Sequence, residues 1–303
     1  MKRGEVVSVI GGSGFLGGYV VQELARLGLR INVVSRNPRR LTQAKTSANV
    51  GQIGAIKCDA KNIEELEPII ATSDYVVNLV GIMHERRGQT FAICHKEIAS
   101  NIAQLCAKYK VKKLVHLSAL SVDRCHASQY AKSKLAAEQE VRKYFSNSYI
   151  LRPSVIFGPE DDFINMFLCL TKLMPLIGMV NSGKTKFQPV YVADVAKAVA
   201  NIIALDYKNK IYELAGPQQY TLKEIITCVL KLTNRKRWLV NLSNRQATIV
   251  AFLIQYMPKP LLTRDQIKLL QIDSIINGEN GLLKLGIKHP ASMEAIIPRY
   301  LLK

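Results

Sequence analysis

The sequence predicts an α/β fold: a doubly wound parallel sheet with a smaller, mainly helical C-terminal domain. Three observations predict it. Short apolar runs alternate with helix-period patterns through the first half. A glycine-rich turn joins the first such run to the first such helix, and after Pro153 the rhythm loosens into longer segments broken by Pro159, Pro175, Pro189 and Pro217.

Val6–Ile10 reads as a buried strand. Residues 15–27 then place Phe15, Val20, Val21, Leu24 and Leu27 on one helical face, with Gly28 positioned to end the helix. Further strands are expected at 31–34, 53–57, 75–79, 114–117 and 149–151, and helices at about 62–71, 90–109 and 129–145. Strands separated by helices require parallel crossovers, so helices should cover both faces of the sheet. A strand over 188–192 and a helix over 194–205 are expected to return to that sheet. The expected division is 1–158 plus 187–216 for the sheet domain, and 159–186 plus 217–303 for the smaller one.

The chain has 303 residues with 42 Lys+Arg against 23 Asp+Glu, a net charge of +19, on an ordinary globular composition of 48% hydrophobic residues. Disorder, collagen-like repeats and small disulfide scaffolds are excluded. The excess is evenly spread, with 22 basic and 12 acidic residues in 1–150 and 20 and 11 in 151–303. That argues against a basic nucleic-acid arm and for a cationic surface facing phospholipid headgroups or acidic proteins. No apolar run approaches the roughly 20 residues of a membrane span. The first five residues lead directly into a predicted strand, so no secretory signal is expected. A cytoplasmic location, peripheral on the inner membrane, is expected. Six cysteines without a C-x-x-C pair and five histidines without ligand spacing predict no metal site. Residues 249–262, an apolar stretch followed by cations, suit either core packing or an anionic membrane surface.

Gly11-Gly12-Ser13-Gly14-Phe15-Leu16-Gly17 carries glycines at 11, 14 and 17, between a strand and an amphipathic helix. There the first glycine permits a tight turn, the second a close approach of pyrophosphate, and the third helix–strand contact; the helix N-terminus supplies free N–H groups. This is a dinucleotide-binding turn. At the end of the second strand, where an acidic residue would bind a ribose 2′-hydroxyl, the chain has Ser35-Arg36, with Arg39-Arg40 following. Guanidinium groups there favour a 2′-phosphate, hence NADP(H) over NAD(H), although Arg36 also reads as a solvated loop cation. Asp59 is placed either to meet the adenine or to cap the helix at 62–71. Asn78-Leu79-Val80-Gly81 puts a tight turn beside the cofactor, with Asn78, Val80 and Gly81 as contact candidates.

Ser118 follows the fifth strand, and Tyr130 and Lys134 lie four residues apart on one helical face. An ammonium beside Tyr130, together with the positive nicotinamide of a bound cofactor, is expected to lower the phenol pKa. Tyr130 would then exchange the proton that accompanies hydride transfer, while Ser118 orients the substrate oxygen.

These residues, with Leu151-Arg152-Pro153-Ser154 running to Pro159, resemble an extended or atypical short-chain dehydrogenase/reductase. Within that superfamily, residues 78–81, 152–161, 188–195 and Leu262-Thr263-Arg264-Asp265-Gln266 are similar to the nucleotide-binding accessory subunit of respiratory complex I and its bacterial relatives. The resemblance implies tightly held NADP(H), contact through Pro153 as well, and association with complex I subunits near the membrane. It implies a structural nucleotide. The intact Ser118, Tyr130 and Lys134 keep open an active reductase or epimerase working on a small or lipid-like substrate.

Overall fold

The computed structural model describes residues 4–38, 49–208, 210–254, 260 and 262–301. Arg39 and Arg40, expected near the 2′-phosphate, lie outside the described residues. Among the described residues, six strands and four α-helices build the first half. The strands are β1 (Val6–Ile10), β2 (Arg30–Ser35), β3 (Ile53–Lys57), β4 (Tyr75–Asn78), β5 (Lys113–Leu117) and β6 (Ser148–Pro153). The helices are α1 (Phe15–Arg26), α2 (Ile63–Ala71), α3 (Ile98–Lys108) and α4 (Gln129–Tyr144). The second half adds β7 (Ile156–Phe157), α5 (Phe163–Leu173), β8 (Leu176–Val180), β9 (Lys186–Phe187), β10 (Val190–Tyr191), α6 (Val192–Ala204) and β11 (Ile211–Leu214). It ends with β12 (Tyr220–Thr221), α7 (Leu222–Leu232), β13 (Trp238–Leu242), α8 (Asn244–Ile254), α9 (Arg264–Leu269), α10 (Gly281–Lys284) and α11 (Met293–Leu301).

The main sheet is parallel and ordered β11-β6-β5-β4-β1-β2-β3, so the strand order reverses beside β1. Ligands of such sheets bind outside the carboxyl ends of the strands at that reversal. Alternate side chains of each central strand point to opposite faces, and both faces are covered. Val7, Val9, Ile31 and Val33 pack with α1, α6 and α10, while Ile10, Val34, Val76 and Leu114 pack with α2, α3 and α4. A further core centred on Phe157, Ile164, Phe187, Ile225 and Ile297 gathers α5, α7 and α11.

Two expectations need correction. Residues 188–192 do not return to the main sheet. Only Val190 and Tyr191 are extended, and they pair with Ile156 and Phe157 in a separate two-stranded sheet. Pro189 has no N–H to give a ladder, and α6 begins at Val192. The seventh strand is β11, whose Tyr212 and Leu214 are buried while Ile211 and Glu213 are half-buried. Helix α6 does pack on the sheet, against α1. The helix expected over 90–109 is divided: Ala92–Glu97 forms a π-helical turn that runs into α3.

Candidate functional site

The glycine turn leaves β1 at the strand reversal. Gly11 adopts φ +81°, and a Cβ there would lie 3.2 Å from the backbone of Leu79 and Val80. Its N–H donates to Val34 O (2.9 Å), which ties the turn to β2. At Gly17 a Cβ would run into the Gly12 backbone, so only glycine lets α1 start this close to β1. Ser13, Phe15 and Leu16 fill the turn and the first residues of α1. The helix begins at Phe15, and Gly14 at its N-cap has no side chain to cap it, leaving its first N–H groups and the positive end of its dipole open to an anion.

At the end of β2 the Ser35 hydroxyl is buried and has no hydrogen-bond partner, while Arg36 is exposed. Asp59 does not cap α2. Asn62 does, accepting from the Glu64 N–H (3.0 Å), whereas Asp59 accepts from Lys61 N and faces its ammonium at 3.5 Å. Asn78 is buried, and its side chain is consumed internally: Oδ1 accepts from Val80 N (3.0 Å) and Nδ2 donates to His116 Nδ1 (3.1 Å). It therefore shapes the turn that carries Val80 and Gly81.

Three elements converge on Lys134. Its ammonium donates to Leu117 O (3.0 Å) at the end of β5, and a Cβ on Gly81 would sit 3.2 Å from it. Ser118 follows immediately, buried and with an unpartnered Oγ. Tyr130 lies one turn before Lys134 on α4 and is half-buried, its ring edge-on to His95 and Phe91 at 5.3 and 5.9 Å. At the end of β6, Pro153 accepts from Leu120 N (2.8 Å), anchoring the loop beyond Ser118.

Burial pushes Tyr130 up to about 12 and Lys134 down to about 8, the latter opposed by Glu138. The expectation of a lowered Tyr130 is therefore corrected for the protein by itself. The ammonium is committed to Leu117 O, and loss of solvent around the phenol prevails.

The sequence pointed to no role for three residues now at the site. His95 sits on the π-helical turn, 99% buried, with Nδ1 2.7 Å from Ser133 Oγ and Nε2 3.1 Å from Ile82 N. Ser133 Oγ also donates to Tyr130 O, and His95 Nε2 lies 3.1 Å from Ile82 O as well as from Ile82 N. Burial, then the Lys134 charge, pushes His95 down to about 3. Arg152 on β6 clamps Glu138 on α4 through both carboxylate oxygens (2.9 and 2.7 Å) and reaches Asp123 at 2.7 Å. Asp265 crosses over from α9 to the start of α4: Oδ1 accepts from Gln129 N (2.9 Å), and Oδ2 from Ser128 Oγ (2.7 Å) and Tyr130 N (3.0 Å). The 262–266 motif was visible, but nothing in it said that its acid would hold the helix carrying Tyr130.

The glycine cradle, the uncapped helix and the orphaned Ser35 and Ser118 hydroxyls fit a dinucleotide lying across the strand ends. A nicotinamide group there would supply or accept hydride. The chain's own part would be to exchange a proton at the Tyr130 hydroxyl and to orient an oxygen from Ser118, with Lys134 beside them.

The family model described as NAD dependent epimerase/dehydratase matches residues 7–215. The NADH-ubiquinone oxidoreductase 40 kDa subunit, mitochondrial, of Neurospora crassa is 30% identical over 98% of this chain and 79% of its own length. The NADH dehydrogenase [ubiquinone] 1 alpha subcomplex subunit 9, mitochondrial, of Arabidopsis thaliana is 30% identical over 92% and 72%. Among solved structures, Citrobacter sp. triphenylmethane reductase complexed with NADP(H) superposes with a TM-score of 0.75 at 18% identity, covering 97% of this chain and 99% of that one, a likeness of fold.

Proposed function

This chain belongs to the NAD dependent epimerase/dehydratase family, and from that premise we propose that it is an NADP(H)-binding accessory subunit of a respiratory NADH:quinone oxidoreductase. The observation that carries the cofactor preference is the end of β2, where a buried Ser35 hydroxyl without a partner adjoins Arg36 and no acid stands to repel a 2′-phosphate. The nucleotide acts structurally, spanning the glycine turn, β4 and α4 and stabilising the folded state by mass action. A Tyr130 held fully protonated suits that role.

Titration with NADPH and NADH tests the preference. NADPH should bind at least tenfold tighter, and Arg36→Glu should reverse the order; tighter NADH binding to the unaltered protein would refute it. Native purification tests the assembly, with co-migration alongside other subunits of the oxidoreductase expected and a free monomer counting against it.

A second reading has its own support. Lys134 bonds to Leu117 O beside Ser118, Tyr130 lies one turn before it on α4, and a cavity is lined by Phe91 and Asp265, both neighbours of Tyr130, which supports an NADP(H)-dependent reductase or epimerase. NADPH consumption abolished by Tyr130→Phe would establish it. The position is peripheral, on the cytoplasmic face of the inner membrane. Residues 163–186 and 225–254 hold eight Lys or Arg and no Asp or Glu, and they expose Leu173, Leu176, Trp238 and Ile249. Flotation with phosphatidylglycerol vesicles but not phosphatidylcholine vesicles is expected. Among the described residues no helix is long and apolar enough to cross a membrane.

A further inference from the structure

A cavity of about 600 Å³ lies between the loop after β4 and residues 260 and 263–268, and two of its lining residues touch Tyr130: Phe91 by its ring and Asp265 at the Tyr130 N–H. Its walls divide by chemistry. Phe91 gives an apolar surface, its ring edge-on to Tyr130, and Pro260 adds another from the facing segment. Arg264 and Lys268, one turn apart on α9, form a cationic side. Both are exposed, and neither has a carboxylate partner among the described residues.

The two acids of the lining make their hydrogen bonds elsewhere than with these cations. Both oxygens of Asp265 are taken up by the first turn of α4, and Glu85 Oε1 accepts from Phe91 N (2.7 Å). His84 accepts at Nε2 from Arg86 Nε (2.9 Å), which adds a further positive charge behind the rim. Two like charges one turn apart disfavour a helix as short as α9, which its Thr263–Gln266 capping box offsets. An anion between them removes that repulsion. Arg264 can hold a carboxylate or phosphate through two hydrogen bonds, with Lys268 as a point charge beside it.

We propose that this cavity binds an amphiphilic anion, a carboxylate or phosphate monoester on an apolar chain, with its charge between Arg264 and Lys268 and its apolar part along Phe91 toward Tyr130. The inference rests on the reading that a nucleotide occupies the cradle in front of Tyr130, and it identifies the class of a second ligand at the same site.

The test is calorimetric titration of the full chain, saturated with NADPH, with decanoate, decyl phosphate and decanol, all below micelle formation. At least one anion should bind tenfold or more tighter than decanol. The R264Q/K268Q double variant, altered only at exposed positions, should lose that advantage while leaving NADPH affinity and decanol binding unchanged. Equal binding of anions and alcohol, no binding of any of them, or an anion preference that survives the double variant would overturn the proposal. NADPH affinity is read in the same samples by nicotinamide fluorescence. Absent NADPH binding refutes the cofactor reading separately, and the three ligands are then compared on the nucleotide-free protein with the same criteria.

Discussion

Asp265→Ala is expected to loosen the helix that carries Tyr130 and Lys134 from 136 residues away. The carboxylate accepts from Ser128 Oγ, Gln129 N and Tyr130 N, all at the N-terminus of α4. Ser128 caps α4 through Ala131 N and Asp265 adds a second acceptor for the Gln129 and Tyr130 N–H groups, and losing that acceptor costs about 1 kcal/mol, as for a cap. Removing a negative charge from the positive end of a helix costs about 0.5–1 kcal/mol. Ser128 is fully buried, and leaving its hydroxyl without an acceptor adds about 1 kcal/mol. The total is about 3 kcal/mol, a fall in Tm of about 6 °C for a domain of this size. Asp265→Asn, which keeps an acceptor and discards the charge, should lose about half as much. The assay is urea unfolding followed by circular dichroism, alongside nicotinamide fluorescence for NADPH affinity, which should weaken severalfold in the alanine variant. Stability of Asp265→Ala within about 0.5 kcal/mol of the unaltered protein, well inside the cost of a single cap, would refute the reasoning.

Lys134 predicts a pH signature in the nucleotide-free protein. Its pKa in the folded state is about 8 against an ordinary 10.5, so between those values the unfolded chain binds more protons and stability rises with pH, by about 3 kcal/mol in all. Lys134→Met should remove this rise, read as the difference between the two proteins' unfolding free energies at pH 8 and pH 10.5; parallel curves would contradict the buried charge. Arg152→Met leaves the buried Glu138 carboxylate without its two-oxygen partner, and a loss of about 3–5 kcal/mol in urea unfolding is expected. Adding Glu138→Gln to that variant should recover part of the loss, and no recovery would place the cost elsewhere.

Much of the first half was legible because its signals are local. β1, the glycine turn and α1 follow one another within 26 residues, and each is written in its own spacing: a five-residue apolar run, glycines at 11, 14 and 17, and then a helical apolar face. Ser118, Tyr130 and Lys134 were singled out by the same means, a strand end and a one-turn separation, and the structure keeps Ser118 just past β5 and the other two on α4. His95 gave no comparable signal. An uninterrupted helix was expected there, and the extra residue of the π-helical turn shows only once the turn is packed against α4.

Periodicity and turn chemistry by themselves determined that this chain builds a parallel sheet with a dinucleotide cradle at its first crossover, since backbone preference and the burial of one face depend on neighbours in sequence. Tertiary structure decided what those rules do not reach. It decided that residues 211–214 rather than 188–192 complete the sheet, because strand partners are chosen by free backbone groups across space. It decided that Lys134 gives its ammonium to Leu117 O, and that burial raises Tyr130 in the protein by itself. It also set an acid from residue 265 on the first turn of α4. A hydrogen bond or a desolvated charge is a property of atoms brought together by packing, and no spacing along the chain records which atoms those will be.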